Sequence, residues 1–178
     1  TGPFCVRFGA CNVNVWLGDD HCLWRREYAG KFTTLPMPAY VAGNQAQAMI
    51  DINPQQLWVS VSRKGLFRIV EGKWQLQSGL NGLPTETVMS LTKDASGRIW
   101  AGYLNNRIAL IDGKRVQLFG KEQGLELGNV LAFQVDGERL WAGGEFGLAL
   151  YDSKRAAQQF VPIKVSGQQA LRGISGIV

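Results

Sequence analysis

An all-β chain of about four four-stranded antiparallel repeats is predicted by three observations. Tryptophans recur at a fixed interval, glycine- and aspartate-marked turns keep register with them, and no segment sustains a helical period. Trp16, Trp58, Trp100 and Trp141 are separated by 42, 42 and 41 residues. A period of this length holding four short extended segments marks a β-propeller blade, because helical repeats of similar period need two or more helices each.

The third repeat shows the elements in order. Strand A covers residues 87–93 and ends in the turn Asp94-Ala95-Ser96-Gly97, matched in other repeats by Asp136-Gly137 and Asn53-Pro54. Strand B covers 98–103 and carries the tryptophan. In every repeat a branched apolar residue precedes it (Val15, Leu57, Ile99, Leu140) and an apolar or small one follows (Leu17, Val59, Ala101, Ala142), with Gly18, Gly102 and Gly143 next in three of them. Strand C covers 107–112, equivalent to Leu23-Trp24, Leu66-Phe67-Arg68-Ile69 and Leu148-Ala149-Leu150-Tyr151. A tight turn ending in Lys31, Lys73, Lys114 or Lys154 leads to strand D, residues 115–119 in this repeat. Short apolar runs between glycine, aspartate and asparagine turns are strand and hairpin signals. A longer polar loop, 120–129, leads to the next strand A.

The repeats divide the chain at about 1–35, 36–78, 79–120 and 121–162, with 163–178 opening a further blade. The whole of 1–178 therefore reads as a partial propeller, open or completed by another chain. Two chains could close an eight-bladed ring about a two-fold axis, because open sheet edges and apolar blade faces require cover.

Composition agrees with this architecture and narrows the chemistry. Glycine fills 22 of 178 positions, above the usual ~7%, as repeat punctuation. Apolar residues make up 46%, which excludes a disordered chain. Nineteen basic against fourteen acidic side chains leave a modest +5. No stretch approaches the ~18 consecutive apolar residues of a membrane span, so no membrane insertion is expected of this segment. Four turn lysines without interleaved exposed aromatics read as solvated turns rather than a nucleic-acid surface.

Enzymatic chemistry is not predicted. The one histidine lies in Asp19-Asp20-His21-Cys22, and Cys5, Cys11, His21 and Cys22 lack the paired close spacing of a zinc site. Cys22 adjoins His21, and neighbouring side chains of a strand point to opposite faces, which disfavours a thiol–imidazole pair. No glycine motif precedes a helix, so no phosphate loop exists. No catalytic residue, metal or cofactor is expected. Cys5 on strand A and Cys22 on strand C flank strand B, about 9–10 Å apart and beyond the ~7 Å reach of a disulfide. Three free thiols mildly oppose an oxidising compartment. The tryptophan ladder reads as interblade packing, while Trp24 and Trp74 fall outside it.

The second and third repeats carry a specific resemblance. Gly79-Leu80-Asn81-Gly82-Leu83-Pro84, then Val88-Met89-Ser90-Leu91, then Asp94 to Gly102 resembles the repeat of the two-component regulator propeller family: a Gly-Leu-Pro loop, an inner strand, an Asp-x-x-Gly turn and an apolar-Trp-apolar-Gly strand. Gly65-Leu66-Phe67, Gly147 to Tyr151 and Gly124-Leu125 match further parts. The first repeat departs from the pattern, with Gly9-Ala10-Cys11-Asn12 in place of the Asp-x-x-Gly turn. The resemblance implies a bacterial sensor: periplasmic propellers, a small β-sandwich, a membrane helix, and a histidine kinase or diguanylate cyclase output. It implies a periplasmic location, and carbohydrate ligands in the best-known branch.

D–A and B–C loops share one face of such blades, the default ligand surface. It would display Asp19, Asp20 and His21; Ser62, Arg63 and Lys64; Asn105, Asn106 and Arg107; and Glu145 and Phe146, bordered by loops 36–45 and 79–86. These polar groups suit a small polar or sugar ligand. Three functions follow: a ligand-sensing extracytoplasmic module, a non-catalytic interaction or self-assembling scaffold, and, only if further blades supply acidic pairs and histidines, a propeller hydrolase or lyase.

Overall fold

The computed structural model describes residues 15–26, 30–154, 159–164 and 171–177, and the backbone of Cys5–Phe8. The described strands form four antiparallel four-stranded sheets. The first holds β1 (Cys5–Phe8), β2 (Val15–Gly18), β3 (Cys22–Arg26) and β4 (Phe32–Pro36). The second holds β5 (Ala46–Asn53), β6 (Gln56–Val61), β7 (Gly65–Val70) and β8 (Lys73–Leu76). The third holds β9 (Val88–Lys93), β10 (Ile99–Tyr103), β11 (Ile108–Asp112) and β12 (Arg115–Phe119). The fourth holds β13 (Val130–Asp136), β14 (Arg139–Gly144), β15 (Gly147–Asp152) and β16 (Phe160–Pro162). Each strand pairs with its neighbour in sequence, the meander of a propeller blade.

Burial explains the strand sequences. Every residue of β10 is buried, and so are Ile108, Ala109, Leu110 and Ile111 of β11. A strand covered on both faces reads as a continuous apolar run, as these do. The outer strands β4 and β8 are mostly exposed, so Thr33, Thr34, Lys73 and Gln75 are tolerated there. The tight β11–β12 turn places Gly113 at φ 58°, where a side chain would be strained.

The chain forms two compact units, Thr1–Val88 and Met89–Val178. The first has a core that includes Trp16, Leu23, Met37, Val41, Leu57, Phe67 and Ile69. The second is built on Trp100, Ile108, Phe119, Leu125, Leu140, Tyr151 and Phe160.

Within each unit, successive sheets approach most closely two residues after the ladder tryptophan. A Cβ on Gly18 would lie 2.9 Å from Ala46 Cβ, and one on Gly102 would lie 2.7 Å from Val130 Cγ1. At the equivalent position Ser60 uses its side chain, its Oγ accepting from Val88 N at 3.2 Å. A Cβ on Gly143 would lie 2.5 Å from Ile174 Cγ2, and Ile174 N donates to Gly144 O at 3.0 Å. Residues 171–177 carry no strand pairing, yet Ile174 stands against the fourth sheet as Ala46, Val88 and Val130 stand against the first three.

Two details differ from expectation. The 120–129 loop is not simply polar: it contains a 3-10 turn, Lys121–Gln123, and buries Leu125 and Leu127 as a plug. The ladder is also unequal: Trp16, Trp58 and Trp100 are buried, whereas Trp141 is only partly buried. Trp141 pairs with Leu150, and Leu150 with Val161, in a cross-strand row that the described chain leaves partly open.

Candidate functional site

The B–C turns and D–A loops interlock in both units, so several polar side chains expected to face a ligand hold the loops instead. Asp19 Oδ1 accepts from the backbone N–H groups of His21 and Cys22, both at 2.7 Å, closing its own turn. The carbonyls of Asp20 and His21 hold the 36–45 loop by accepting from Gly43 N and Met37 N. The side chains of Asp20 and His21 stay exposed, 3.9 Å apart. Arg63, at φ 63°, and Lys64 are exposed on the next B–C turn, and Ser62 Oγ donates to Gln47 Oε1. Tyr40 and Leu80 project from the D–A loops of the same unit, each more than half exposed.

The second unit binds its polar groups more tightly. Asn106 donates from Nδ2 to Leu125 O and accepts on Oδ1 from Leu127 N, which seats the buried plug. Glu145 accepts from Asn129 N and Asn129 Nδ2, while Asn129 Oδ1 accepts from Asn105 N. Arg107 is half-buried, and its carbonyl accepts from Tyr103 N. Phe146 is exposed. Asp20, His21, Arg63 and Lys64 thus remain the exposed charged or titratable side chains of the eleven candidates.

The opposite rim, formed by A–B and C–D turns, differs sharply between the units. In the second unit Asp94 organises the A–B turn. Its Oδ1 accepts from Ser96 N and Arg98 N, and its Oδ2 from Arg98 Nε at 2.7 Å and Trp100 Nε1 at 3.0 Å. The seam beside Trp100 is closed by aromatic rings: Tyr151 at 4.9 Å, Phe119 at 5.6 Å and Phe160 at 6.3 Å between centroids. Burial raises the Tyr151 hydroxyl above its ordinary value near 10, opposed by Arg98 and reinforced by Asp94.

The corresponding seam of the first unit is a cleft of about 240 Å³, lined among the described residues by Trp16, Arg25, Thr33, Leu35, Leu57, Ile69 and neighbours in the A–B and C–D turns. The strand registers explain the space. Trp16 pairs with Arg25 as Trp100 pairs with Leu110, Leu35 stands where Phe119 stands, and Ile69 where Tyr151 stands. Two rings are replaced by aliphatic chains and one leucine by arginine. Arg25 donates from Nη1 to Pro54 O at 2.8 Å, and its guanidinium lies 5.9 Å from the centre of the Trp16 ring, in cation–π range. Trp16 Nε1 is buried without an acceptor. Sequence reasoning missed this cleft, although the signal was present in the aligned repeats as Arg25, Leu35 and Ile69.

The remaining candidates are plainly placed. Cys22 is a free thiol, while the side chains of Cys5 and Cys11 lie outside the described residues. Lys31, Lys73, Lys114 and Lys154 are exposed in their turns. Trp74 packs edge-on against Phe67, with 5.6 Å between centroids. Among the described residues no three His, Cys, Asp or Glu side chains converge, and no helix is long and apolar enough to cross a membrane.

No family model matches the chain, and no curated protein matches it in sequence. Solved structures do match in fold. The extracellular domain of BT4673 from B. thetaiotaomicron, described as a hybrid two-component system, superposes with a TM-score of 0.67 at 19% identity over 89% of this chain and 24% of that one. Virginiamycin B lyase from Staphylococcus aureus gives 0.67 at 16% identity, over 92% of this chain and 55% of that one. The β-propeller domain of Cps50 (Swd1) from Myceliophteria thermophila gives 0.68 at 9% identity, over 96% and 59%. The chain spans about a quarter of the BT4673 domain. What these proteins share with it is the fold, and the sheets of this chain are β-propeller blades.

Proposed function

We propose that the chain is an extracytoplasmic ligand-sensing propeller segment of a bacterial two-component-type receptor, without catalytic activity of its own. The observation that carries this reading is the fold likeness, across 89% of the chain, to the extracellular domain of a hybrid two-component system. The Gly-Leu-Pro, Asp-x-x-Gly and apolar-Trp-apolar-Gly repeat supports the same reading. A small polar or carbohydrate ligand contacts the B–C and D–A loops of the first unit, where Arg63, Lys64, Asp20 and His21 stand exposed beside loops bearing Tyr40 and Leu80. Aromatic and charged side chains together suit sugar rings and their hydroxyls.

The test uses the full-length protein in its host, with cell fractionation and a transcriptional reporter read across a carbohydrate panel. The protein is expected in the envelope fraction. Arg63→Ala with Lys64→Ala is expected to shift the response midpoint roughly tenfold, as loss of charge-assisted hydrogen bonds would. A cytosolic protein overturns the location, and an unmoved midpoint overturns the loop surface.

A second reading, a self-assembling scaffold, is favoured by the partly open Trp141, Leu150 and Val161 row. In that reading the first sheet of a second copy covers the row. Light scattering that finds a folded monomer at micromolar concentration defeats it.

A further inference from the structure

The cleft of the first unit has a shape that the second unit explains. Beside Trp100 the rings of Phe119 and Tyr151 pack against the indole, leaving about 10 Å³ near Asp94 and Trp100, while a separate opening of about 530 Å³ lies outside them between Arg98, Leu110, Arg115, Gln117 and Tyr151. Beside Trp16 the residues in those two positions are Leu35 and Ile69, and about 240 Å³ stays open. The cleft therefore offers apolar space against the face of an indole. Apolar space of this kind, walled by Leu35, Leu57 and Ile69, is poorly used by water.

Glu71 borders the cleft at its C–D turn, and the polar groups beside the indole are donors. Trp16 Nε1 is a buried donor with no acceptor, although Trp100 has Asp94 for this purpose. Trp58 has Gln56, whose amide, turned to accept, takes Trp58 Nε1 at 3.1 Å. An unmatched buried N–H is costly and is normally satisfied by a partner or a ligand. Arg25 replaces a leucine in the same register and brings a cation over the Trp16 ring. Thr33, paired with Arg25 across the strands, lines the cleft beside it. Two donors over an aliphatic floor with room for one ring call for an aromatic acid.

We propose that this cleft binds a small aromatic carboxylate. The ring takes the place that Phe119 and Tyr151 occupy in the second unit, while the carboxylate accepts from Arg25 and Trp16 Nε1. The site lies on the rim opposite the loop surface proposed above and stands or falls separately from it.

Calorimetry on the 178-residue chain with 4-hydroxybenzoate tests the proposal. Saturable binding is expected, weakened at least about tenfold for the neutral isostere 4-hydroxybenzamide, because charge-assisted hydrogen bonds are roughly twice as strong as neutral ones. Leu35→Phe with Ile69→Tyr, which rebuilds the closed seam, is expected to abolish binding while the chain stays folded by circular dichroism. Should that double variant misfold, Arg25→Leu, the residue type of the second unit, is expected to lose the preference for the carboxylate over the amide. Arg63→Ala with Lys64→Ala is expected to leave binding unchanged. No saturation at millimolar probe, equal binding of acid and amide, or binding that survives the filled seam overturns the site.

Discussion

The two units solve the same packing problem with different residues. Beside Trp100 three rings close the seam, and the Asp94 carboxylate anchors both the indole and the turn. Beside Trp16 the equivalent positions hold Leu35 and Ile69, the indole N–H has no acceptor, and an arginine enters from strand C. The difference teaches that a blade repeat fixes where a tryptophan stands but not what it is for. A closed seam serves stability, whereas an open seam with oriented donors is a place where a molecule can bind.

The largest effect is expected from Trp100→Ala, which removes the ring on which Phe119, Tyr151 and Phe160 converge. It should cost about 3–5 kcal/mol, in the range of buried aromatic truncations. Trp16→Ala should cost about 1–2 kcal/mol less, since part of that ring faces space that makes no contacts. Denaturant unfolding, with hydrogen exchange reporting each unit separately, measures both, and equal losses would break the contrast.

Asp94→Ala comes next, at roughly 2–3 kcal/mol, because it strands the Trp100 indole N–H and unmakes the turn. Asp94→Asn should cost less by keeping an acceptor. If both variants unfold at the wild-type midpoint, the carboxylate does not anchor the indole and the turn.

Filling the open seam with Leu35→Phe and Ile69→Tyr should raise stability by about 0.5–2 kcal/mol, as cavity-filling substitutions commonly do. A melting temperature lower than that of the parent would mean that the seam is strained rather than vacant.

The smallest effect concerns pH. Burial keeps Tyr151 protonated in the folded chain beyond the ordinary value near 10. As pH rises past that value the unfolded chain loses its phenolic proton first, so stability is intact below it and falls until the folded value is passed. Tyr151→Phe should flatten this alkaline decline in the second unit, and a first unit that shares the decline would show that Tyr151 is not its source.

Much of this was legible from spacing. The 42-residue tryptophan interval placed every strand B, and the Asp-x-x-Gly turn placed the hairpin that Asp94 closes. The loop side chains were legible as polar, but not as occupied. Asn106 and Glu145 look like ligand groups in a sequence, and only their partners in the 120–129 loop show that they hold chain instead. Gly124-Leu125 was legible as a loop element, but the burial of Leu125 and Leu127 was not, because a two-residue plug has no periodicity to detect.

The sequence by itself determined the repeat, the four-stranded blade and the interblade place of Trp16 and Trp100, because strand period and turn chemistry are local and recur every 42 or so residues. Only the tertiary structure decided which seam is closed and which is open. That outcome depends on residues from four strands of two sheets meeting around one indole, and on whether their summed volume fills the space between them.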